Sequence, residues 1–527
     1  MRFVKGEKIM GNFVNAMEKE ELKRDNETTT ESNSNVTVTE NGAYAYKSTT
    51  NSLLDLFGTI GALRERSTDE IEELFKKALD VNALGAVKLS FYARDIREGL
   101  GERRTAKIIW KWLADNYPET MYKNLALVPY FGRWDDLYAF VGTKVEDGMW
   151  ALMCRQWNDD VKNAKEGKGI SLMAKWLKSV NASDKESRAL GRLTAKKMGF
   201  SEKTYRKALS TLRRYLDVTE VKMSHRDFGN IQYASVPSKA MNNYRKAFVR
   251  NDEGRFRDYL ESVKKGESKI NAGTLYPYDI MMKYGVGKNY WHYEDYDDTL
   301  ELQWKNLPNY IEGENNVLVM ADTSGSMFGR PLATSMGLAV YFAERNHGEF
   351  KNKFMTFDEK PHFVTLKGKS LRDKLDDFKS INANTNLMAA LEMILNVAVA
   401  NSVSKEDMPK ALVIISDMEF DRAVTKSYFS WDSRELNVES TYGVSYNERI
   451  KKMFTDEGYD VPKIVFWNVN SRNDVFHSCA DEGMENVILV SGQSVSTFKM
   501  LLANIEGSAE EVMMNVLWSE RYKSVVL

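Results

Sequence analysis

The run Val317-Leu318-Val319-Met320-Ala321-Asp322-Thr323-Ser324-Gly325-Ser326 decides how the C-terminal part of this chain is read. Five apolar residues end in a polar loop, the pattern of a short buried strand. In an open α/β sheet, ligands bind at the carboxyl ends of the strands, where this loop must lie. A hard divalent cation takes oxygen ligands in near-octahedral geometry, and Mg²⁺ keeps several waters. Asp322, Ser324 and Ser326 offer one carboxylate and two hydroxyls at alternate positions, and Gly325 lets the backbone turn between the serines. A D-x-S-x-S string arises by chance in about one in ten chains of this length, so its surroundings must carry the argument. The competing reading is that the serines only cap the following helix.

Around that run, short apolar strands alternate with helices. Val317–Ala321, Lys353–Phe357, His362–Leu366, Ala411–Ser416, Lys463–Trp467 and Val487–Val490 read as strands. Pro331–Asn346, Leu371–Ser380, Leu387–Ala400 and Val495–Ala503 read as helices. This alternation predicts a largely parallel sheet covered by helices on both faces. The one predicted hairpin joins Lys353–Phe357 to His362–Leu366 through Asp358-Glu359-Lys360-Pro361. Thr385, in a polar loop before a helix, and Asp417, after the strand Ala411–Ser416, then fall on the same rim as the serines.

Toward the N-terminus the pattern changes. Residues from Glu21 to Asn41 are rich in Thr, Asn, Glu and Ser, so residues 1–48 are expected to be a disordered arm. Residues 49–292 are helical: Ser67 and Glu70 form a capping box ahead of Ile71, Leu74, Phe75 and Ala78. Further helices are predicted at Asn82–Ile96, Glu102–Asn116, Lys185–Lys197, Glu202–Leu216 and Gly254–Lys264. Paired helices with short turns predict a HEAT-like repeat. Residues 293–312, with Glu294-Asp295-Tyr296-Asp297-Asp298, read as an acidic linker before the domain at 313–527. The expected fold class is therefore α + α/β.

The ordered set Asp322, Ser324, Ser326, Thr385 and Asp417 resembles the metal-ion-dependent adhesion site of von Willebrand factor A domains, over roughly Asn315 to Leu527. That resemblance implies a doubly wound sheet and a bound Mg²⁺, or another divalent cation such as Mn²⁺. It also implies a protein partner whose carboxylate completes the coordination shell.

The chain has 527 residues, with 74 Lys+Arg against 75 Asp+Glu and a net charge of −1, which at face value argues against nucleic acid. The distribution reverses that argument. Residues 151–290 carry 29 Lys+Arg against 15 Asp+Glu, interleaved with Trp176, Tyr205, Tyr215, Phe228, Tyr233, Tyr244, Phe248 and Phe256. Phosphate neutralisation and base stacking need such a segment, although most of these aromatics equally suit a core. Lys222, His225, Arg226, Lys239, Arg245 and Lys246 are expected at the centre of the basic surface.

Two further motifs stand in the helical half: Arg94-Asp95-Ile96-Arg97-Glu98-Gly99-Leu100-Gly101-Glu102-Arg103 and Gly132-Arg133-Trp134-Asp135-Asp136-Leu137. Gly99 and Gly101 before a helix could cradle a phosphate, but Glu102 disfavours an anion there. Taken with the C-terminal domain, both motifs resemble the Ro/TROVE ribonucleoprotein family, in a TROVE-like branch found in viruses, bacteria and eukaryotes. The resemblance spans about Thr49 to Leu527 and implies a ring of helical repeats. It also implies structured RNA on the outer surface and single-stranded RNA ends in the central hole.

Other classes find little support. Cys154 and Cys479 are the only cysteines, so no disulfide framework exists and a reducing, cytoplasmic compartment is expected. Neither a signal peptide nor a membrane span is expected. Gly368-Lys369-Ser370 imitates the end of a phosphate-binding loop, but Phe363 stands where its first glycine belongs. The five histidines have no metal-ligand spacing. The expectation is a non-catalytic RNA-binding scaffold with a divalent-metal site and no small-molecule substrate. The alternative is a metal-dependent protein-interaction adaptor that binds no RNA.

Overall fold

The computed structural model describes residues 35–288, 292–311, 316–356, 361–378, 387–421, 428–429, 436–437, 446–480 and 484–527. The strands are β1 (Val36–Val38), β2 (Tyr44–Tyr46), β3 (Val317–Ala321), β4 (Lys353–Thr356), β5 (His362–Thr365), β6 (Ala411–Ser416), β7 (Tyr428–Phe429), β8 (Leu436–Asn437), β9 (Lys463–Asn468) and β10 (Val487–Ser491). Six of them form the main sheet in the order β10-β9-β6-β3-β4-β5. All neighbours are parallel except β4 and β5, the predicted hairpin, which pairs Thr356 with His362. Every residue of β3, β6 and β10 is buried, as a parallel sheet covered on both faces requires.

From β3 the chain proceeds outward to β4 and β5, then returns to the other side of β3 at β6. The carboxyl ends of β3 and β6 therefore flank the switch point of the sheet, and the ladder pairs Ala321 with Ile415. The helix Arg330–Arg345, rich in Ala, Ser, Thr and Gly, is buried from Leu332 through Ala343. Its composition fits a helix enclosed on all sides. It lies between β3 and the short helix Pro277–Met281, where a Cβ at Gly337 would sit 2.8 Å from Pro277 Cβ.

The two halves are not separate bodies on a linker. The stretch predicted as the acidic linker contains the helix Asp298–Lys305, buried from Thr299 through Trp304. Asp297 caps it, accepting from the backbone N–H groups of Thr299 and Leu300. The acidic residues are thus a helix start, favoured by the helix dipole. A single hydrophobic core runs from Ala43 to Val525 through both halves. A satellite core gathers Ile231, Tyr233, Met241, Phe248, Phe256 and Leu260.

Among the described residues, the first and last segments each dock on the opposite half. Within the predicted arm, β1 and β2 form a hairpin whose Tyr46 exchanges backbone hydrogen bonds of 2.8 and 2.9 Å with Phe476. Residues 1–34 lie outside the described residues. The helix Ser52–Thr59 packs against β10, and the chain after it meets the sheet backbone to backbone. A Cβ at Gly61 would come within 2.6 Å of Gly492 N. At the other end, Arg521 grips Asp95 through Nε (2.6 Å) and Nη2 (2.8 Å).

The helices Lys185–Lys197, Glu202–Tyr215 and Leu387–Ala400 stand where the sequence places them. Glu146–Lys165 was not predicted, because its acidic and aromatic residues blur the apolar stripe. The predicted helix Gly254–Lys264 is the second half of Ser238–Lys264, which kinks at Asp252 (φ −155°, ψ 51°). Among the described residues no helix is long and apolar enough to cross a membrane.

Candidate functional sites

The first site stands at the sheet's switch point. Asp322 continues the β3 ladder, its N–H donating to Ile415 O at 3.0 Å, and its carboxylate is fully buried. Oδ1 accepts from Ser324 N at 2.8 Å, and Oδ2 accepts from Ser416 Oγ at 2.6 Å. Ser324 and Ser326 hydroxyls lie 3.0 Å apart. The Ser326 hydroxyl also favours the ionised form of Asp417, which is 2% exposed. Neither serine caps a helix. The turn Gly325–Met327 has no side-chain cap bond, and the helix Arg330–Arg345 is preceded by Gly329 at φ 94°.

Burial and then the neighbouring Asp417 push the Asp322 carboxyl well above the usual carboxylate range, against the opposing bonds from Ser416 and Ser324. Burial also raises Asp417, opposed first by the Arg472 guanidinium. These oxygens fit a hard divalent cation: two desolvated carboxylates and two hydroxyls converge, with no nitrogen or sulfur donor in the set. Among the described residues no group of three or more His, Cys, Asp or Glu could hold a metal ion. Thr385 lies outside the described residues.

Sequence reading missed part of this rim. Ser416, adjacent to Asp417, was legible; its hydroxyl donates to Asp322 and accepts from Met418 N at 3.1 Å. Arg472 and Glu40 were not, because Arg472 reaches Asp417, and Glu40 reaches Arg472, only through the fold. Arg472 Nη2 lies 2.9 Å from Asp417 Oδ2 and 3.1 Å from Glu40 Oε2.

The second site is a basic groove in the helical half. Three hollows of about 560, 640 and 340 Å³ adjoin one another. The first and second share Ser179, Asn181 and Arg213, and the second and third share Arg214, Val221 and His225. Arg133, whose guanidinium stacks on Trp176 at 4.0 Å, stands at one end. Arg206, Lys207 and Arg214 line the middle, and Lys222 the far end. Arg213 is structural, donating to the carbonyls of Ala174 (2.9 Å) and Leu177 (2.7 Å) and to Ser179 Oγ (2.8 Å).

The predicted basic centre is only partly assembled. Lys222 and His225 line the groove, with Lys222 paired to Asp217 at 2.6 Å, and Arg226 follows in an exposed left-handed turn (φ 57°). Lys239, Arg245 and Lys246 line none of the three hollows. Lys239 pairs with Asp279 beside the Tyr278 ring, and Lys246 is exposed on the kinked helix. Arg245 is corrected outright: it is 6% exposed and donates to Asp297 Oδ2 at 2.6 Å and Asn242 O at 2.9 Å. Its charge holds the helix start of Asp298–Lys305. Tyr205, Tyr233, Phe248 and Phe256 are core residues. Arg206, Lys207 and Arg214 were legible as one polar face of Glu202–Tyr215 at helical spacing.

The two further motifs form a charge network around the buried carboxylates of Asp135 and Asp136. Arg94 pairs with Asp136 at 2.7 Å, and Arg103 reaches both Asp135 (2.6 Å) and Asp136 (2.9 Å). The glycine loop does not cradle an anion. Gly101 is at φ 68° with Tyr276 Oη 1.9 Å from where a Cβ would stand, and Glu102 is buried against Arg64.

The family profile "Domain of unknown function (DUF2828)" matches residues 39–170 and 170–316, more than half of the chain. The profile "Domain of unknown function (DUF7788)" matches residues 316–524. The boundary between them falls at the start of β3. The chain is also similar to "Uncharacterized protein L728" of Acanthamoeba polyphaga mimivirus, with 26% identity over 523 residues. That match covers 92% of this chain and 87% of the viral protein.

Proposed function

The chain belongs to the DUF2828 family, and from that footing we propose that it is a non-catalytic RNA-binding scaffold carrying a divalent-metal site of the von Willebrand factor A type. In this reading the helical half corresponds to the HEAT-like ring of the Ro/TROVE family, and the ligand is a small structured or single-stranded RNA. The observation that carries it is the succession of adjoining hollows lined by Arg133, then Arg206, Lys207 and Arg214, then Lys222. A row of guanidinium and ammonium groups neutralises successive phosphates and releases counterions. The Arg133–Trp176 stack offers a flat cationic surface for a base.

At the sheet rim, Asp322 is fixed by Ser324 N and Ser416, while Ser324 and Ser326 turn their hydroxyls toward each other. Mg²⁺ or Mn²⁺ held there supplies a positive charge that a partner's carboxylate can meet. The second reading, a metal-dependent adaptor without RNA, is favoured by exposed Ser326 and Phe328 beside the buried Asp322. Titrating labelled structured and single-stranded RNAs at low and high salt separates the two. The scaffold predicts binding that weakens steeply with salt; undetectable binding at low salt leaves the adaptor.

A further inference from the structure

We propose that Arg472 is an internal counter-cation of the rim, a latch that ties Asp417 to Glu40 and is displaced when a divalent ion binds. The inference rests on the metal-site reading above and adds its regulation by this chain's own N-terminal hairpin. Arg472 lies in the loop after β9, and one nitrogen, Nη2, serves both carboxylates, at 2.9 Å and 3.1 Å. Its Nε is buried and has no hydrogen-bond partner among the described residues.

Arg521 shows what a permanent pair in this molecule looks like. Two of its nitrogens meet both oxygens of Asp95, at 2.6 and 2.8 Å. Bidentate pairing is the stronger geometry, and an unmade buried donor carries a cost. Arg472 has the weaker arrangement, and its side chain keeps 27% exposure, so it can swing out.

Glu40 connects this latch to the hairpin. It sits between β1 and β2, its N–H donating to Glu419 Oε2 at 2.7 Å. Asn473 Nδ2 bridges Glu40 Oε1 and Glu419 Oε1, both at 2.9 Å. Thr39 Oγ1 donates to Phe420 O at 2.6 Å, so the turn is tied to the segment that follows Asp417. Arg472 cannot stay on Asp417 beside a divalent cation, because like charges at contact repel. On its departure Glu40 loses its cation and the turn at 39–43 loosens.

The test uses the full chain, wild type and Arg472→Ala, with Arg472→Gln as a second variant and thermal melting to verify folding. Mg²⁺ affinity is measured by calorimetry, and amide hydrogen exchange is followed at 36–46 with and without Mg²⁺. The latch predicts Mg²⁺ affinity about tenfold higher in the variants. It also predicts that Mg²⁺ speeds exchange at 39–43 in the wild type but not in the variants. Unchanged affinity, or wild-type exchange indifferent to Mg²⁺, overturns it. Absence of Mg²⁺ binding in all three folded proteins is a separate result, which removes the metal reading and the latch together.

Discussion

Arg94 and Asp136 form an ion pair across 42 residues of sequence, with side chains 3% and 0% exposed and Nη2 2.7 Å from Oδ2. Burial alone would raise the Asp136 carboxyl, but Arg94, Lys107 and Arg103 hold it below its usual range. Removing one partner of a buried pair strands the other charge, at about 3–5 kcal/mol. Asp136→Ala leaves Arg94 without its partner, whereas Arg94→Ala leaves Asp136 with Arg103 and Lys107. Urea denaturation should therefore show the larger loss for Asp136→Ala. Equal losses would contradict the idea that Asp136 is shared among three cations.

The rim makes an unusual prediction for Asp322→Asn. A fully buried carboxylate is costly to ionise, and an amide of the same shape is not. Without divalent metal the variant should be at least as stable as wild type. Wild type should gain about 2.7 kcal/mol at a Mg²⁺ concentration a hundred times its dissociation constant. The variant should lose that gain in melting experiments. A variant still stabilised by Mg²⁺ would place the ion elsewhere.

For the groove, Arg206→Glu and Arg214→Glu reverse exposed charges that line its middle hollow. Each should weaken RNA binding and lower the slope of log affinity against log salt by about one per lost phosphate contact. Arg245→Gln should instead reduce stability, since Arg245 supports Asp297 rather than the surface. Fluorescence anisotropy over a salt series, paired with melting curves, distinguishes the two effects.

His477 is expected to make the fold acid-sensitive. It is buried against the Phe420 and Phe466 rings, with Nε2 2.9 Å from Met418 O, and burial pushes its imidazole down to about 4 from 6.5. The unfolded chain takes up a proton near 6.5 while the folded chain resists until about 4. His477's contribution is therefore complete above 6.5 and is lost as pH falls toward 4, about 3 kcal/mol at most. His477→Gln should flatten the stability profile in that window. An unaltered acid limb would show that other groups set it.

Much of this molecule is local physics that a sequence displays. The apolar runs at Val317–Ala321 and Ala411–Ser416 form buried strands because no other environment suits five or six such residues in a row. Asp322, Ser324, Ser326 and Asp417 reach one rim because parallel strands expose their carboxyl ends together. Ser67 and Glu70 close a helix start by contacts within three residues. The 151–290 charge excess was countable, although not which of its residues stay on the surface.

Only the tertiary structure decided where that charge points and what stands opposite the rim. Arg245 and Arg206 look alike in sequence, yet one is buried on Asp297 and the other lines the groove. The helix Asp298–Lys305 reads as a linker because its acidic cap is local, while its burial depends on distant partners such as Asn242 and Tyr284. Arg472 meets Asp417 across 55 residues and Glu40 across 432, distances at which periodicity and propensity carry no information. Residue order and local propensity set which groups exist and which local elements carry them. Long-range packing alone determined which charges are compensated, and so which remain for a ligand.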